Sequence, residues 1–393
     1  MLGQTAIRQI KAALRAGIDN REVAGGNLLL IQDGQEAFYH EDGFADVEAG
    51  IPIARNSIFR LYSMTKPVTA AAVMILLERG LIDLLDPVSQ YLPGFRDQRV
   101  AADGALVPVR RDMNIRDLLT MTSGLTYGGD HRAGRETASL FREIESELLG
   151  ERPIGTVDAM SRLGQCALVF QPGASFAYGT SADVLGAIVE VASGMRFGDF
   201  LRQELFEPLG MRDTGFWLPE NKRSRLAKTY ADDGRGDLAL YEGNHLGIVH
   251  HMDRDPAFES GGAGLASTID DYARFATMLM NEGSLEGNRI LRPKTVRHLA
   301  SAGLTPSQRQ TFNKDWHSLQ GYSYGNLMRV LTDVGQGGGL GCEGEYGWDG
   351  WLGAYFCNCP AERLTFLFMI QKKDAGTTSL TRKLRNIVLG SRD

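Results

Sequence analysis

Ser63-Met64-Thr65-Lys66-Pro67 is the stretch that decides how this chain is read, and Ser63-x-x-Lys66 is the only Ser-x-x-Lys it contains. Residues three apart share one face of a helix, so the hydroxyl and the amine meet at one point. Proline is tolerated only in the first helical turn, where its missing N–H is not needed. Pro67 therefore starts the helix near Ser63 or Met64 and puts Ser63 at the positive end of the helix dipole. A serine so placed still needs a base. Lysine in water, with a pKa of about 10.4, is neutral in only about one molecule in a few thousand at pH 7. Burial and a nearby positive charge lower that value. Taken alone, the motif also fits a helix start followed by a surface lysine.

On either side of it the chain alternates strand and helix signals. Asn27 to Gln32 is an apolar run that reads as a buried strand. Asp33-Gly34 makes a turn, and Glu36 to His40 return as its hairpin partner. The helix after Ser63 runs from Val68 to Glu78 and stops at Gly80. Ile115 to Thr122 and Asp183 to Ala192 are helical patterns closed by Gly124 and Gly194. Thr268 to Met280 is another, with Thr268 as N-cap. Leu364 to Gln371 reads as a strand and Ser379 to Leu389 as a final helix. Met1 to Ala16 has the spacing of an amphipathic helix. Strands at both ends with helices between predict one sheet built from both termini, with a helical insertion.

Composition excludes several functions. The 393 residues carry 48 acidic and 42 basic side chains without a long basic run, which argues against nucleic acid. Ala70 to Leu77 is too short for a bilayer, which takes about 20 apolar residues. Arg8, Lys11 and Arg15 interrupt the N-terminal segment, so it is no signal-peptide core, and the expected location is cytoplasmic. Of Cys166, Cys342, Cys357 and Cys359 only the last two are close-spaced, and free buried thiols are expected. His250-His251 lacks a metal-binding context, so neither metal nor cofactor is expected. Gly335 to Gly341 lacks the Gly-Lys-Ser/Thr ending of a phosphate loop. No Gly-x-Ser-x-Gly elbow supports a Ser-His-Asp hydrolase.

Several longer motifs follow in order. They are Leu61 to Ala72, Leu84-Leu85-Asp86-Pro87-Val88, Tyr91-Leu92-Pro93, Ile115 to Leu125, Pro208 to Phe216 and Gly261 to Thr268. Together they resemble the serine β-lactamase-like superfamily, especially class C β-lactamases and family VIII carboxylesterases. The resemblance implies that Ser63 is the nucleophile and Lys66 its partner. Gln171 to Asp183 is similar to the family's second motif, with Tyr178 as its tyrosine and Thr180 where class C enzymes have asparagine. A phenol beside an ammonium can hold or relay a proton; Tyr178 also fits simple packing ahead of a helix.

Tyr346 to Gly353 stands where the family's Lys-Thr-Gly strand falls, and Trp348 takes the lysine's place, as in family VIII esterases. Without that cation an uncharged ester becomes the expected substrate rather than a β-lactam carboxylate. Asp349 departs from both patterns; it reads either as a charge bearing on substrate selection or as a turn residue. By resemblance the oxyanion donors are the backbone N–H groups of Ser63 and Trp351, with Trp348, Asp349, Gly350 and Thr180 contacting substrate.

The expected fold is α/β, an antiparallel sheet flanked by helices with an inserted mainly helical domain. Residues 1–85 and 240–393 would form the sheet domain and 86–239 the helical one. The expected activity is cleavage of small carboxylic esters through an acyl-enzyme. The alternatives are a β-lactamase or D-alanyl peptidase, an acyltransferase, and a non-catalytic binding module. Expected partners are a small ester or amide substrate, with neither nucleic acid nor membrane; oligomeric state is open.

Overall fold

A computed structural model of the chain describes residues 2–102 and 104–391; Met1 of the N-terminal helical pattern lies outside them. Eight strands form one antiparallel sheet: β1 (Gly25–Gln32), β2 (Gln35–Asp46), β3 (Ile51–Pro52), β4 (Tyr322–Gly325), β5 (Met328–Leu331), β6 (Tyr346–Asp349), β7 (Tyr355–Cys359) and β8 (Leu364–Ile370). Their order is β4-β5-β6-β7-β8-β1-β2-β3, so strands from the two ends of the chain meet where β8 pairs with β1, Leu29 opposite Leu367.

The continuous apolar run of β1 follows from burial on both faces. Leu28 and Leu30 face helices α1 (Gln4–Asp19) and α5 (Ser379–Gly390), which contribute Ile10, Leu14, Leu380, Leu384 and Val388 to that layer. Leu29 faces the other way, into the main core with Phe356, Leu367 and Met369. Alternate side chains on a strand point to opposite faces, so one apolar run serves two layers.

Helix α2 (Thr65–Glu78) is buried from Thr65 to Leu76, around its whole circumference. A helix apolar on all sides belongs in the centre of a domain. It packs against α3 (Ser181–Ser193), while α4 (Ile269–Met280) covers the sheet face that Leu29 occupies. Thr268 caps α4, its hydroxyl accepting from the Asp271 N–H at 3.2 Å, and Gly194 ends α3 in the left-handed conformation.

Three features differ from the sequence reading. The Ile115 pattern is helical only over Ile115–Leu119, because Met121 adopts a φ of 55° and turns the chain. The middle of the chain also holds short hairpins, Arg99–Ala102 with Ala105–Pro108 and Thr229–Asp232 with Leu238–Tyr241. The expectation of four free thiols is corrected. Cys342 and Cys359 form a disulfide because the loop before β6 passes the end of β7, while Cys166 and Cys357 are free. Among the described residues no helix is long and apolar enough to cross a membrane, and no group of side chains could hold a metal ion.

Candidate active site

Ser63 sits in a short 3₁₀ turn, Tyr62–Met64, that runs directly into α2. Tyr62 holds a φ of 44°, a left-handed conformation that a bulky residue adopts only when its surroundings enforce it. The Tyr62 ring is buried against Trp351 at 4.9 Å. Two residues earlier, Arg60 is buried and donates to the carbonyls of His250 (2.7 Å) and Ala227 (2.8 Å). From the other side Tyr272 of α4 donates to the Met64 carbonyl at 2.9 Å. The turn that carries Ser63 is thus fixed by packing and by hydrogen bonds to distant segments.

Lys66 is completely buried, and its Nζ lies 3.1 Å from Ser63 Oγ, 2.9 Å from Tyr127 Oη and 2.8 Å from the Gly262 carbonyl oxygen. Burial pulls its pKa down to about 7, against the opposing pull of Asp183 and Asp349. Near neutrality a substantial share of the amines is therefore unprotonated, where free lysine would have almost none.

Tyr178 completes the group. Its hydroxyl hydrogen-bonds with Ser63 and accepts from Trp348 Nε1 at 3.0 Å. The Lys66 ammonium lies 4.6 Å from the Tyr178 ring centre. Burial raises the phenol's pKa, so Tyr178 is protonated near neutral pH. It can donate a proton or pass one on, but it is a poor base there.

Sequence reasoning missed two members of this cluster. Tyr127 is the second hydroxyl on Lys66, and its ring packs 5.8 Å from that of Tyr178. It comes two residues after the motif ending at Leu125, which was its only signal. Asp183, buried at the start of α3, accepts from Ser260 Oγ at 2.5 Å and from the Gly262 N–H at 3.0 Å. It thereby holds the turn whose Gly262 carbonyl faces Lys66. That turn needs glycine: a Cβ on Gly261 would lie 2.3 Å from the Ala182 carbonyl oxygen.

A cleft of about 510 Å³ opens above Ser63, lined by Tyr127, Tyr178, Trp316, Trp348, Asp349, Gly350 and Trp351 among others. Trp316 packs edge-on against Tyr178 (4.9 Å) and Trp348 (5.6 Å), and His245, another lining residue, stacks on Trp351 at 4.3 Å. Burial lowers the pKa of His245 and favours its neutral form.

Trp348 and Asp349 point to opposite faces of β6, yet both border the cleft because the strand ends there. Asp349 accepts a hydrogen bond from the Thr377 hydroxyl. Gly350 lets this strand end approach the turn that carries Ser63: a Cβ there would sit 2.2 Å from the Leu61 carbonyl oxygen. The structure therefore brings Ser63, Lys66 and Tyr178 together, with Trp348, Asp349, Gly350 and Trp351 along the same cleft. Thr180 is the exception. It is fully buried as the residue preceding α3 and is not part of the cleft lining.

The beta-lactamase family model matches residues 10–389. Esterase EstB of Burkholderia gladioli is 31% identical over 98% of both chains. Monacolin J acid methylbutanoyltransferase of Aspergillus terreus is 29% identical over 74% of this chain and 69% of its own. Among solved structures, EstCE1, described as a hydrolase with promiscuous acyltransferase activity, superposes with a TM-score of 0.83 at 25% identity, covering 98% of this chain and 99% of that one.

Proposed function

Because this chain belongs to the beta-lactamase family, we propose that it is a serine hydrolase that cleaves small, uncharged carboxylic esters through an acyl-enzyme on Ser63. The observation that carries the reading is the buried Lys66 amine 3.1 Å from Ser63 Oγ. Neutral Lys66 takes the hydroxyl proton as Ser63 attacks the ester carbonyl. The backbone N–H groups of Ser63 and Trp351 receive the developing oxyanion. Tyr178, protonated and hydrogen-bonded with Ser63, donates to the departing alkoxide and recovers a proton from Lys66. Water then repeats the sequence on the acyl-enzyme.

Trp348 and the surrounding rings make the cleft wall apolar at the point where a β-lactam carboxylate would need a cation, which favours a neutral acyl group. Replacing Ser63 with alanine should abolish turnover of p-nitrophenyl butyrate while the protein stays folded; retained turnover would refute the reading.

Acyl transfer to an alcohol is the second reading. It is favoured by the likeness to a methylbutanoyltransferase and to a hydrolase with acyltransferase activity. Both readings share the acyl-enzyme and differ only in what releases it. Adding a short primary alcohol to the p-nitrophenyl butyrate reaction separates them, since a transferase accumulates the new ester in preference to butyrate.

A further inference from the structure

Between the sheet and helix α5, on the face that Trp348 does not occupy, three guanidinium groups surround a small cavity that the ester chemistry does not use. Arg329 on β5 is only 1% exposed. Its guanidinium lies 4.5 Å above the Tyr355 ring, and its Nη2 donates to the Phe356 carbonyl at 3.3 Å. Its Nη1 has no hydrogen-bond partner among the described residues. Arg385, also buried, gives Nη2 to Glu345 at 2.6 Å, while its Nε has no hydrogen-bond partner among the described residues. Arg382 donates to the Thr377 carbonyl at 2.9 Å. All three line a cavity of about 30 Å³, together with Tyr355, Thr377 and Thr381. One water needs roughly 10–15 Å³ on this measure, so a small ion has room.

Charge and dipole agree on the occupant. The cavity lies at the N-terminus of the 12-residue α5, whose first turn supplies Thr381. A helix N-terminus favours an anion. Two carboxylates face the arginines: Glu345 is bonded to Arg385, whereas Asp349 acts on Arg329 through space and is hydrogen-bonded to Thr377. Among the described residues, three guanidinium groups against two carboxylates leave one positive charge in surplus. That surplus falls on the partly exposed Arg382, whereas the unpaired donors of Arg329 and Arg385 are buried, and a buried donor left unpaired is costly.

We infer that this cavity binds one small monovalent anion, chloride or the carboxylate of a short acid, held by Arg329, Arg382 and Arg385 at the start of α5. The site is independent of the ester reading but abuts it, since Thr377 lines both the cavity and the catalytic cleft.

The test is thermal unfolding of the full chain at constant ionic strength. Sodium gluconate, whose six-carbon chain exceeds the cavity, is replaced stepwise by sodium chloride in one arm and by sodium formate in the other. The unfolding midpoint should rise along a saturable curve in at least one arm, as it does when a ligand binds only the folded state. The arm that saturates at lower concentration identifies the anion. Arg329→Met removes a fully buried guanidinium and puts folding itself at risk, so the more exposed Arg382→Gln carries the comparison. That variant should need about ten-fold more anion for half-saturation, the loss expected for one charge-assisted hydrogen bond. Superimposable curves in chloride, formate and gluconate would overturn the site, and so would an identical response in Arg382→Gln.

Discussion

The Lys66 amine lies 3.1 Å from Ser63 Oγ, and its two other hydrogen-bond partners, Tyr127 Oη and the Gly262 carbonyl, carry no formal charge. A carboxylate in contact would hold the ammonium protonated; here Asp183 acts only through space and through the turn it fixes. Burial therefore dominates and draws the lysine pKa down to about 7.

The pH profile of ester turnover follows. In the proposed mechanism the active form carries neutral Lys66, so kcat/KM for a neutral ester should rise with pH through a midpoint near 7 and level off above it. Asp183 opposes the lowering, so Asp183→Asn, which keeps an acceptor for Ser260 and Gly262, should move the midpoint to lower pH. A profile independent of pH from 5.5 to 9 would remove Lys66 from the role of base.

Lys66 and Tyr178 should behave as one unit. Lys66→Ala and Tyr178→Phe should each lower kcat by roughly 10²–10⁴-fold, the range for lost general acid–base catalysis. The double variant should lose much less than the product of the two losses, because each group needs the other to move the proton. Multiplicative losses in steady-state kinetics would assign them separate roles. Arginine at position 66 should be no better than alanine, since a guanidinium does not release its proton.

Where the chain was readable before its structure, the signal was local. The apolar run at Asn27 to Gln32, the Thr268 cap and the glycine ending α3 each carry their own periodicity or terminus chemistry. Ser63 and Lys66 were legible because a single helical turn joins them. Tyr127 and Gly262 reach Lys66 across 61 and 196 residues, and no spacing rule connects groups that only the fold brings together. The Cys342–Cys359 bond has the same origin, since it depends on where the loop before β6 passes β7. Its position in a motif predicts Thr180 in the cleft, whereas the start of α3 buries it.

Substrate preference should follow the indole at position 348. Trp348 is 3% exposed and gives its N–H to Tyr178, so it offers the cleft a ring face and no positive charge. The kcat/KM for p-nitrophenyl butyrate should exceed that for nitrocefin. Equal values, or a reversal, would favour a β-lactamase.

Gly350 should matter more for activity than its size suggests. A Cβ at this position meets the Leu61 carbonyl oxygen at 2.2 Å, a backbone atom that cannot swing aside. Gly350→Ala should push the end of β6 away from the turn that carries Ser63. A displacement of about 1 Å at the reacting groups costs on the order of 10²-fold in rate. The check is kcat/KM for p-nitrophenyl butyrate alongside the unfolding midpoint. Unchanged activity would mean that this strand end does not shape the reaction.

The acyl-enzyme itself is tested by intact mass. The wild-type chain treated with a fluorophosphonate should gain one phosphonyl group, and peptide mapping should place it on Ser63. Ser63→Ala should gain none, and Lys66→Ala should label far more slowly. Labelling of the Ser63→Ala variant at the wild-type rate would contradict the assignment of Ser63 as nucleophile.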